Sequence, residues 1–511
     1  MENVRLGIDF GTTYSCVSAY KDGGVVVIPN QMGERTTPSV VIFESPTKAY
    51  VGEETINHLP KKDSVKIYEI KRLIGKKYDE IKDLLEYFAF KIVKQNDGES
   101  PLIKMTFDNG ESSEYTPEFI ASLIIKKLIE NAKDYLKQIV NDVIITVPAD
   151  FNDNQRNGII FAAKLIPGIN VIQIINEPSA AILSYGFPKN LLKNWLFPFN
   201  QNYTLLKNNE FELNHPMEEM ISYEDNNIND NSLKFSLNTS FMNQEKKLIV
   251  FDLGGGTYDV SLIQINDSIF ETRSSSGNQF LGGSDFDNKL MEYCLDDFCK
   301  KNSKTKEEIK KNYKCIQRLK IACERSKKIL SIKEEDTIFI EDFYKEQALK
   351  CLITRANFEN LCNEFFEKLI PPIDKVLNDI NLKSEDINEI ILVGGSSRIP
   401  KIKNILKEKF NKTIINDSIN PDEAVSFGAT IFAESLFRKT GKFWEDFEYL
   451  DSTKSSLGIE LEDGTMEVII KKTVIIQLVK PDIFLMHMMI NILLILKYMK
   501  EKINMFGIIN F

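Results

Sequence analysis

The sequence is poor in the residues that build metal centres and disulfide frameworks. It contains only three histidines, His58, His215 and His487, which are scattered along 511 residues. Its seven cysteines include no Cys-x-x-Cys pair. Such sites normally use clustered histidines or closely spaced cysteines. We therefore predict reduced thiols and no histidine metal site. Because the chain starts directly in a strand-like segment without a signal peptide, we also expect a cytoplasmic location.

The sequence also has no excess of positive charge and no long uninterrupted apolar run. The net charge of -10 argues against nucleic acid and against an anionic membrane surface as partners. The most apolar stretch, residues 483–499, is interrupted by His487 and Asn491. It falls short of the roughly 20 clean residues that a membrane span needs. We therefore expect a globular protein of two to four compact units, with neither a nucleic-acid partner nor a membrane anchor.

The most informative stretch is LIVFDLGGGTYDVS, residues 248–261. An apolar run ends in Asp252, and a strand-like alternation resumes after Thr257, which predicts a strand, a tight turn and a strand. The turn consists of three consecutive glycines, Gly254, Gly255 and Gly256. Glycines allow backbone N–H groups to converge on an anion, whereas the carboxylates of Asp252 and Asp259 need a cation between themselves and phosphate. The pattern therefore predicts a site for a Mg²⁺ nucleotide.

A shorter version of this pattern, LGIDFGTTYSCVS, occurs at residues 6–18. Its acid, glycine, threonine pair and tyrosine are Asp9, Gly11, Thr12, Thr13 and Tyr14. Either copy alone is compatible with an ordinary turn, because aspartate and glycine are common in turns. Two copies of one phosphate-binding hairpin predict two related α/β lobes that face each other across a nucleotide.

Three other candidates have a structural alternative. Lys71 could stabilise phosphoryl charge in a transition state or be a solvated surface lysine. Glu177, which precedes a proline, could act in the site or simply begin a helix. A helix with residues at i, i+3, i+4 and i+7 on one face could be a solvated helix with an i,i+3 ion pair. The four residues of that face are Glu324, Lys327, Lys328 and Ser331.

The stretch ILVGGSSRIPKI, residues 391–402, combines a buried strand with glycines, serines and an arginine. Gly394 and Gly395 would admit a sugar and base close to the backbone, and Arg398 could stack on adenine. Ser396 is one of two serines able to cap a helix, so an α/β turn with a capped helix is the alternative. Further on, we expect the carboxylate of Asp422 to act first as the N-cap of the next helix.

Four motifs, IDFGTTYS, INEPSAAILSYG, FDLGGGTYDVS and ILVGGSSRIPKI, occur in this order. Together they resemble the signatures of the heat-shock protein 70 (DnaK-type) chaperone family, over residues 4–470 apart from one insertion. The resemblance implies the α/β actin-like ATPase fold, with two lobes, each a mixed sheet with flanking helices, around a central nucleotide cleft. It also implies an ATPase that converts ATP and water to ADP and phosphate with Mg²⁺ and K⁺. J-domain co-chaperones and nucleotide exchange factors are the partners that the resemblance implies.

The resemblance also assigns roles to site residues. Phosphate and the water shell of the metal would be contacted from one lobe by Asp9, Thr12, Thr13 and Tyr14. Gly254 to Thr257 would do so from the other lobe. Lys71 would orient the attacking water, and Mg²⁺-bound water, K⁺ and the nucleophile would be held by Glu177, Asp252 and Asp259. The helix face beginning at Glu324 would grip adenine and ribose.

Three segments depart from the family pattern. An asparagine-rich insertion, residues 188–246, has too few apolar residues to offset the entropy of ordering, so we expect a disordered surface loop. Its candidate recognition residues are Trp195, Phe197 and Phe199. Asn278, Gln279 and Phe280 replace the usual Asp-Thr-His, which bears on the fine geometry of the nucleotide. Beyond DFEYLD, residues 446–451, we expect one hairpin around Asp463 and Gly464, and the resemblance ends after Lys472.

These observations predict a modular chain. The units are lobe I at 1–187, the insertion at 188–246, lobe II at 247–414, a return to lobe I at 415–440, an interdomain linker at 441–456, and a remnant of the peptide-binding sandwich with a divergent tail at 457–511. We predict an ATP-hydrolysing chaperone of protein folding and the stress response. Its peptide-binding region would be incomplete, so that unfolded client peptides are not expected to bind well. The alternatives are a nucleotide-binding regulatory or interaction module without client binding and, less favoured by the motifs, a sugar or glycerol kinase.

Overall fold

The computed structural model describes most of the chain apart from the insertion and the tail. The described residues are 4–57, 66–96, 98–107, 110–186, 245–266, 269–416, 420–437, 448–453, 456–460, 464–472 and 475–477. Within them, the strands are β1 (Val4–Asp9), β2 (Tyr14–Lys21), β3 (Gly24–Val27), β4 (Thr37–Pro38), β5 (Val41–Ser45), β6 (Lys48–Val51), β7 (Lys66–Ile67), β8 (Lys91–Lys94), β9 (Pro101–Thr106), β10 (Ser112–Tyr115), β11 (Val140–Val147), β12 (Asn170–Asn176), β13 (Lys246–Leu253), β14 (Tyr258–Asn266), β15 (Ile269–Asn278), β16 (Glu335–Tyr344), β17 (Gln347–Thr354), β18 (Glu389–Val393), β19 (Ile414–Asn416), β20 (Glu448–Ser452), β21 (Leu457–Glu460), β22 (Met466–Ile470) and β23 (Ile475–Gln477).

Helices connect and cover these strands. They are α1 (Glu54–Asn57), α2 (Pro117–Leu136), α3 (Asp153–Lys164), α4 (Glu177–Gly186), α5 (Gly283–Asn302), α6 (Lys306–Lys310), α7 (Tyr313–Leu330), α8 (Arg355–Leu361), α9 (Asn363–Glu367), α10 (Ile370–Asp379), α11 (Pro400–Lys409) and α12 (Ala424–Phe437). Local sequence explains their ends. At α2, for example, the side chain of Thr116 accepts from Phe119 N and Pro117 occupies the first turn, where its missing N–H costs nothing.

Two large sheets repeat one topology. In the first lobe the order is β12-β11-β1-β2-β3, with β4 paired to β2. In the second lobe it is β19-β18-β13-β14-β15, extended by β20 and β23. In each, an antiparallel meander carries the glycine turn between its first two strands, and a parallel strand lies on the other side of the first strand. The prediction of two related α/β lobes, each with a mixed sheet and flanking helices, is confirmed.

Three hydrophobic clusters form the core of the molecule. One lies in each lobe, and the third combines residues from both sheets, such as Ile144 of β11 and Val250 of β13, with Phe432 of α12. Helix α12 packs against α4, β1 and β2. A Cβ at Gly428 would lie 1.6 Å from the carbonyl oxygen of Ala180, so this approach requires a glycine. The helix predicted to return to lobe I therefore packs on that lobe and joins the two.

The C-terminal described segments extend the second sheet. Strand β20, part of the predicted linker, pairs parallel to β15 and antiparallel to β23. Tyr449 of β20 is fully buried against Phe432, and its hydroxyl lies 3.1 Å from that of Thr272. Strands β21 and β22 form the predicted antiparallel hairpin. Residues 448–452 are thus an ordered strand of the second sheet, which the sequence pattern did not reveal.

Two absences hold for the described part of the chain. All seven cysteines are free, which confirms the expectation of no disulfides. None of the described helices is long and apolar enough to cross a membrane. Residues 483–499 and the candidate recognition residues Trp195, Phe197 and Phe199 lie outside the described residues.

Candidate functional site

The two glycine turns meet at the centre of the molecule. A Cβ at Gly255 would lie 2.1 Å from Oγ1 of Thr13, and a Cβ at Gly256 would lie 2.7 Å from Oγ1 of Thr12. Each turn therefore fits against the other only because these residues are glycines. The result is a cradle formed by the glycine turn of lobe II and the threonine hydroxyls of lobe I. Such an arrangement is suited to phosphate.

Four carboxylates lie beside this cradle. Glu177, Asp252 and Asp259 are buried, whereas Asp9 is half-buried. Burial, followed by repulsion from Glu177, raises the pKa of Asp9 to about 7. Burial, followed by repulsion from Glu177, Asp259 and Asp9, raises the pKa of Asp252 well above its usual value. The cluster thus carries more negative charge than its surroundings compensate, which favours a cation.

The donor set fits a hydrated cation better than a dehydrated one. Among the described residues, no group of three or more His, Cys, Asp and Glu side chains could hold a metal ion directly. Mg²⁺ commonly keeps several waters and takes its other ligands from carboxylates and substrate phosphates. The carboxylates of Asp9 and Asp252, next to the phosphate cradle, satisfy this requirement through water.

Lys71 and Glu177 form a buried ion pair at the cleft. Nζ of Lys71 lies 2.5 Å from Oε1 of Glu177, and their side chains are only 3% and 9% exposed. The alternative of a solvated surface lysine is therefore wrong. Glu177 is the first residue of α4, so it combines both proposed roles, a helix-start acid and a residue of the cleft. The pair places an ammonium within a cluster of acids, where its charge offsets only part of the rise in the pKa values of Asp9 and Asp252.

An arginine beside Lys71 joins the two lobes, a contact that the sequence did not indicate. Arg72 donates through NH1 to Oδ1 of Asp285 at 3.1 Å and through NH2 to Oδ2 at 2.5 Å. The same NH2 donates to the carbonyl oxygen of Gly256 at 3.0 Å. All three residues lie in or next to the phosphate cradle. Apolar neighbours were the only sequence signal for Arg72, and they did not identify its partner.

Helix α7 brings its predicted face to the cleft only in part. Nζ of Lys328 lies 2.7 Å from Glu324 and 4.8 Å from the ring centroid of Tyr14, so these residues form one group. Lys327 is instead buried, and its Nζ donates to Asp287 at 2.8 Å and to the carbonyl oxygen of Gly283. The alternative of a solvated helix with an i,i+3 ion pair is therefore wrong for Lys327, whereas Glu324 and Lys328 do form a partly exposed ion pair, at i,i+4. Ser331 follows the helix and donates to its backbone.

The loop after β18 contacts the glycine turn of the second lobe. Ser396 Oγ donates to the carbonyl oxygen of Gly254 at 2.9 Å, which ties this loop to the phosphate turn. Gly394 has a φ of 77°, and a Cβ there would lie 2.3 Å from the carbonyl oxygen of Leu253. A glycine is therefore required both by the backbone and by the close approach. Gly395 follows in the same loop, whose short 3₁₀ turn ends at Arg398.

The prediction that Asp422 caps α12 is wrong. Its carboxylate accepts from NH1 of Arg398 at 2.8 Å, and NH2 of Arg398 donates to Oδ1 of Asn420. Asn420 also accepts from the backbone N–H of Asp422 through the same Oδ1. Because α12 begins at Ala424, Asp422 is not the residue that flanks the helix, and its carboxylate is left to pair with Arg398.

The chain resembles known proteins over nearly its full length. The sequence model of the family described as Hsp70 protein matches residues 5–197 and 228–491. The match continues past Lys472, so the expectation that the resemblance ends there is wrong. The unmatched part of the insertion is shorter than the predicted 188–246.

Several relatives share this similarity. Heat shock cognate 70 kDa protein 3 from Dictyostelium discoideum is 36% identical over 484 residues, which cover 94% of this chain and 68% of that protein. Heat shock 70 kDa protein 2 from Paracoccidioides lutzii and heat shock 70 kDa protein from Neurospora crassa are each 36% identical over 482 residues. These matches cover 65% and 66% of the two relatives. The chain therefore spans about two thirds of the length of the relatives it matches.

Proposed function

The chain belongs to the Hsp70 family, and from this premise we propose that it is a molecular chaperone that binds MgATP between its lobes and hydrolyses it to ADP and phosphate. Family members are ATPases, and membership implies nucleotide binding with Mg²⁺. The observation that carries the proposal is the meeting of two glycine turns beside a buried Lys71 and a cluster of acids. Because the match is to Hsp70, we set aside the sugar-kinase alternative.

We assign the phosphates to the cradle. Backbone N–H groups of Gly255, Gly256 and Thr257 and the hydroxyls of Thr12 and Thr13 would hold the phosphate oxygens from the two lobes. Gly254 would shape this turn, since its own N–H donates to the carbonyl oxygen of Thr257 at 3.0 Å. Gly11 and Tyr14 complete the first turn. When bound, Mg²⁺ would neutralise charge on the phosphates. Asp9 and Asp252 would hold its water shell.

Hydrolysis would depend on groups that move or hold a proton and orient water. The Lys71 ammonium, fixed by Glu177, would hold the attacking water in line with the terminal phosphorus and stabilise the developing charge. Asp259, which accepts a 3.2 Å hydrogen bond from the backbone N–H of Asp150, would accept a hydrogen bond from that water. K⁺ would share the carboxylates of this cluster.

The base and ribose would lie between α7 and the loop after β18. Lys328 and Glu324 face the cleft beside Tyr14, and Arg398 would stack on adenine while held by Asp422. The ammonium of Lys327 is already paired with Asp287, so only the aliphatic part of this side chain would contact the nucleotide. The remaining contacts would come from Ser331, Gly394, Gly395 and Ser396.

The family works with co-chaperones, and we propose J-domain proteins and nucleotide exchange factors as partners in the cytoplasm. A competing proposal is a nucleotide-binding regulatory module that binds no client. Strand β20, part of the predicted linker, pairs with β15, and this pairing would have to change with the nucleotide if the linker passed a signal to a client-binding part.

Nucleotide assays test the proposed ATPase. ATP affinity and phosphate release should both require Mg²⁺ in the purified full chain. Asp252→Asn should weaken both, whereas Asp386→Asn, the same change at an exposed aspartate of the second lobe, should leave both unchanged. Absence of Mg²⁺-dependent ATP binding in the wild type would contradict the proposal.

A fluorescent unfolded peptide separates the two functional candidates. Anisotropy would be measured with and without ATP. Peptide release on addition of ATP supports the chaperone. Normal ATP hydrolysis without peptide binding supports the regulatory module.

A further inference from the structure

Gln279 joins the two lobes through both ends of its amide. It lies in lobe II, directly after β15, in the segment that departs from the family pattern. Its Nε2 donates to the carbonyl oxygen of Asp150, and its Oε1 accepts from Nζ of Lys76 at 2.7 Å. Asp150 and Lys76 both belong to lobe I. We call these three residues the Gln279 bridge.

The Asp150 peptide connects this bridge to the cleft. While its carbonyl oxygen accepts from Gln279, its N–H donates to Oδ1 of Asp259 at 3.2 Å. Asp259 is 2% exposed, so a hydrogen bond to its carboxylate is charge-assisted and stronger than a neutral one. Asp150 therefore binds lobe II twice, once at Gln279 and once at a residue of the site.

Strand β15 has a glycine, Gly277, next to these contacts. A Cβ at Gly277 would lie 2.9 Å from Oδ2 of Asp150 and 3.0 Å from Oδ1 of Asp259. The nearest atom to that Cβ would be the backbone carbonyl oxygen of Tyr258 at 2.4 Å, so this position requires a glycine, and the two carboxylates lie just beyond that oxygen. The glycine therefore keeps the strand compact where Asp150 approaches it.

Lys76 fixes the other end of the amide. Its side chain is only 8% exposed, and its ammonium lies 5.0 Å from the ring centroid of Phe280, the residue after Gln279. Its carboxylate neighbour, Glu80, is 3.9 Å away. Oε1 of Gln279 is closer to the ammonium, at 2.7 Å. Because an ammonium can only donate hydrogen bonds, Lys76 determines that the oxygen of the Gln279 amide faces it. The NH₂ group of Gln279 must then point to Asp150.

We propose that Gln279 is a positioning residue for ATP hydrolysis, which holds Asp259 in place through the Asp150 peptide and keeps the lobes closed around the nucleotide. This inference rests on the proposed function. Gln279 touches neither the phosphate cradle nor the carboxylate itself in the described contacts. Its effect should therefore fall on the hydrolytic step more than on ATP affinity.

Two substitutions at one position separate positioning from mere packing. Gln279→Glu keeps the shape and the acceptor for Lys76 but loses the donor and sets a negative charge against the Asp150 carbonyl oxygen. Gln279→Ala removes all contacts. We expect single-turnover hydrolysis to slow about tenfold in Gln279→Glu and less in Gln279→Ala, while the Kd for ATP changes by less than about threefold. A packing role predicts the reverse order, because glutamate is the better isostere.

The matched control is Gln264→Glu. Gln264 lies on β14 in the same lobe, five residues beyond Asp259 and away from the turn. It should hydrolyse ATP at the wild-type rate. Wild-type hydrolysis in Gln279→Glu, or a greater loss in Gln279→Ala than in Gln279→Glu, would overturn the inference.

Hydrogen exchange gives a readout that does not depend on hydrolysis. Mass spectrometry should show faster amide exchange in the segment containing Asp150 for both Gln279 variants, and unchanged exchange for Gln264→Glu. Unchanged exchange in the Gln279 variants would overturn the bridge itself. A wild-type protein that does not hydrolyse ATP would contradict the proposed function, and the exchange measurement would still decide whether the bridge exists.

Discussion

At the residue scale, burial of the acids in the cleft, followed by repulsion among them, raises their pKa values and makes stability depend on pH. The pKa of Asp9 is raised to about 7, against about 3.9 for an unfolded aspartate. Between these values the folded state holds a proton that the unfolded state has lost. The stabilising contribution of Asp9 is therefore complete below about pH 4 and is lost as the pH rises to about 7.

Asp9→Asn should remove this dependence. In the nucleotide-free protein, the free energy of unfolding of the wild type should fall relative to that of Asp9→Asn by up to about 1.4 kcal/mol per pH unit between pH 5 and 7. Urea unfolding at three pH values checks this. Parallel stability curves for the two proteins would contradict the raised pKa.

Individual residues also show what the sequence could and could not predict. The glycine turns and their acids were predicted because tight turns and anion binding impose strong constraints on residue type. The burial of Lys71, the turn of Lys327 towards Asp287 and the pairing of Arg72 with Asp285 could not be predicted. Each depends on a partner far away in the sequence, and an alternation of charged and apolar residues does not identify that partner.

At the element scale, β20 is the least expected feature. It completes the second sheet between β15 and β23, and Asp451 at its end accepts from Nδ2 of Asn176 at 2.7 Å, at the end of β12 in lobe I. The sequence pattern predicted a linker here, because the acids of DFEYLD, residues 446–451, resemble those that flank the interdomain linker of the family. Tyr449 is the residue that packs β20 into the hydrophobic core.

Tyr449→Ala should destabilise the protein by about 3–5 kcal/mol, because a fully buried aromatic side chain is lost and a cavity is left. Urea unfolding measures the change. Tyr313→Ala is the matched control, since Tyr313 is 44% exposed, and it should cost less than about 1 kcal/mol. Equal effects of the two substitutions would show that β20 is not docked in solution.

At the scale of the whole molecule, the duplicated sheet topology could be predicted because two copies of one motif were visible in the sequence. The third hydrophobic cluster, shared by both lobes and α12, could not. It depends on how the two units pack, which neither copy encodes alone. The buried pair of Arg72 and Asp285 is the polar counterpart of this cluster at the cleft.

Breaking the Arg72–Asp285 pair should lower the free energy of unfolding of the whole molecule. Arg72→Met leaves buried Asp285 without its partner, and we expect a loss of about 3–5 kcal/mol in unfolding free energy. Asp285→Asn in the same chain should recover part of the loss, since the uncompensated charge disappears while Gly282 N keeps an acceptor. A double-mutant cycle from urea unfolding tests this, and strictly additive losses would contradict it.

The central claim is that two lobes assemble one ATPase site in which Lys71 acts on the hydrolytic step. Single-turnover hydrolysis of pre-bound ATP by Lys71→Ala, with the Kd for ATP measured in parallel, tests it most directly. Lys126→Ala, at an exposed position of α2, is the control. We predict that Lys71→Ala loses about 10²-fold or more in hydrolysis while still binding ATP. Hydrolysis by Lys71→Ala at the wild-type rate would contradict the account.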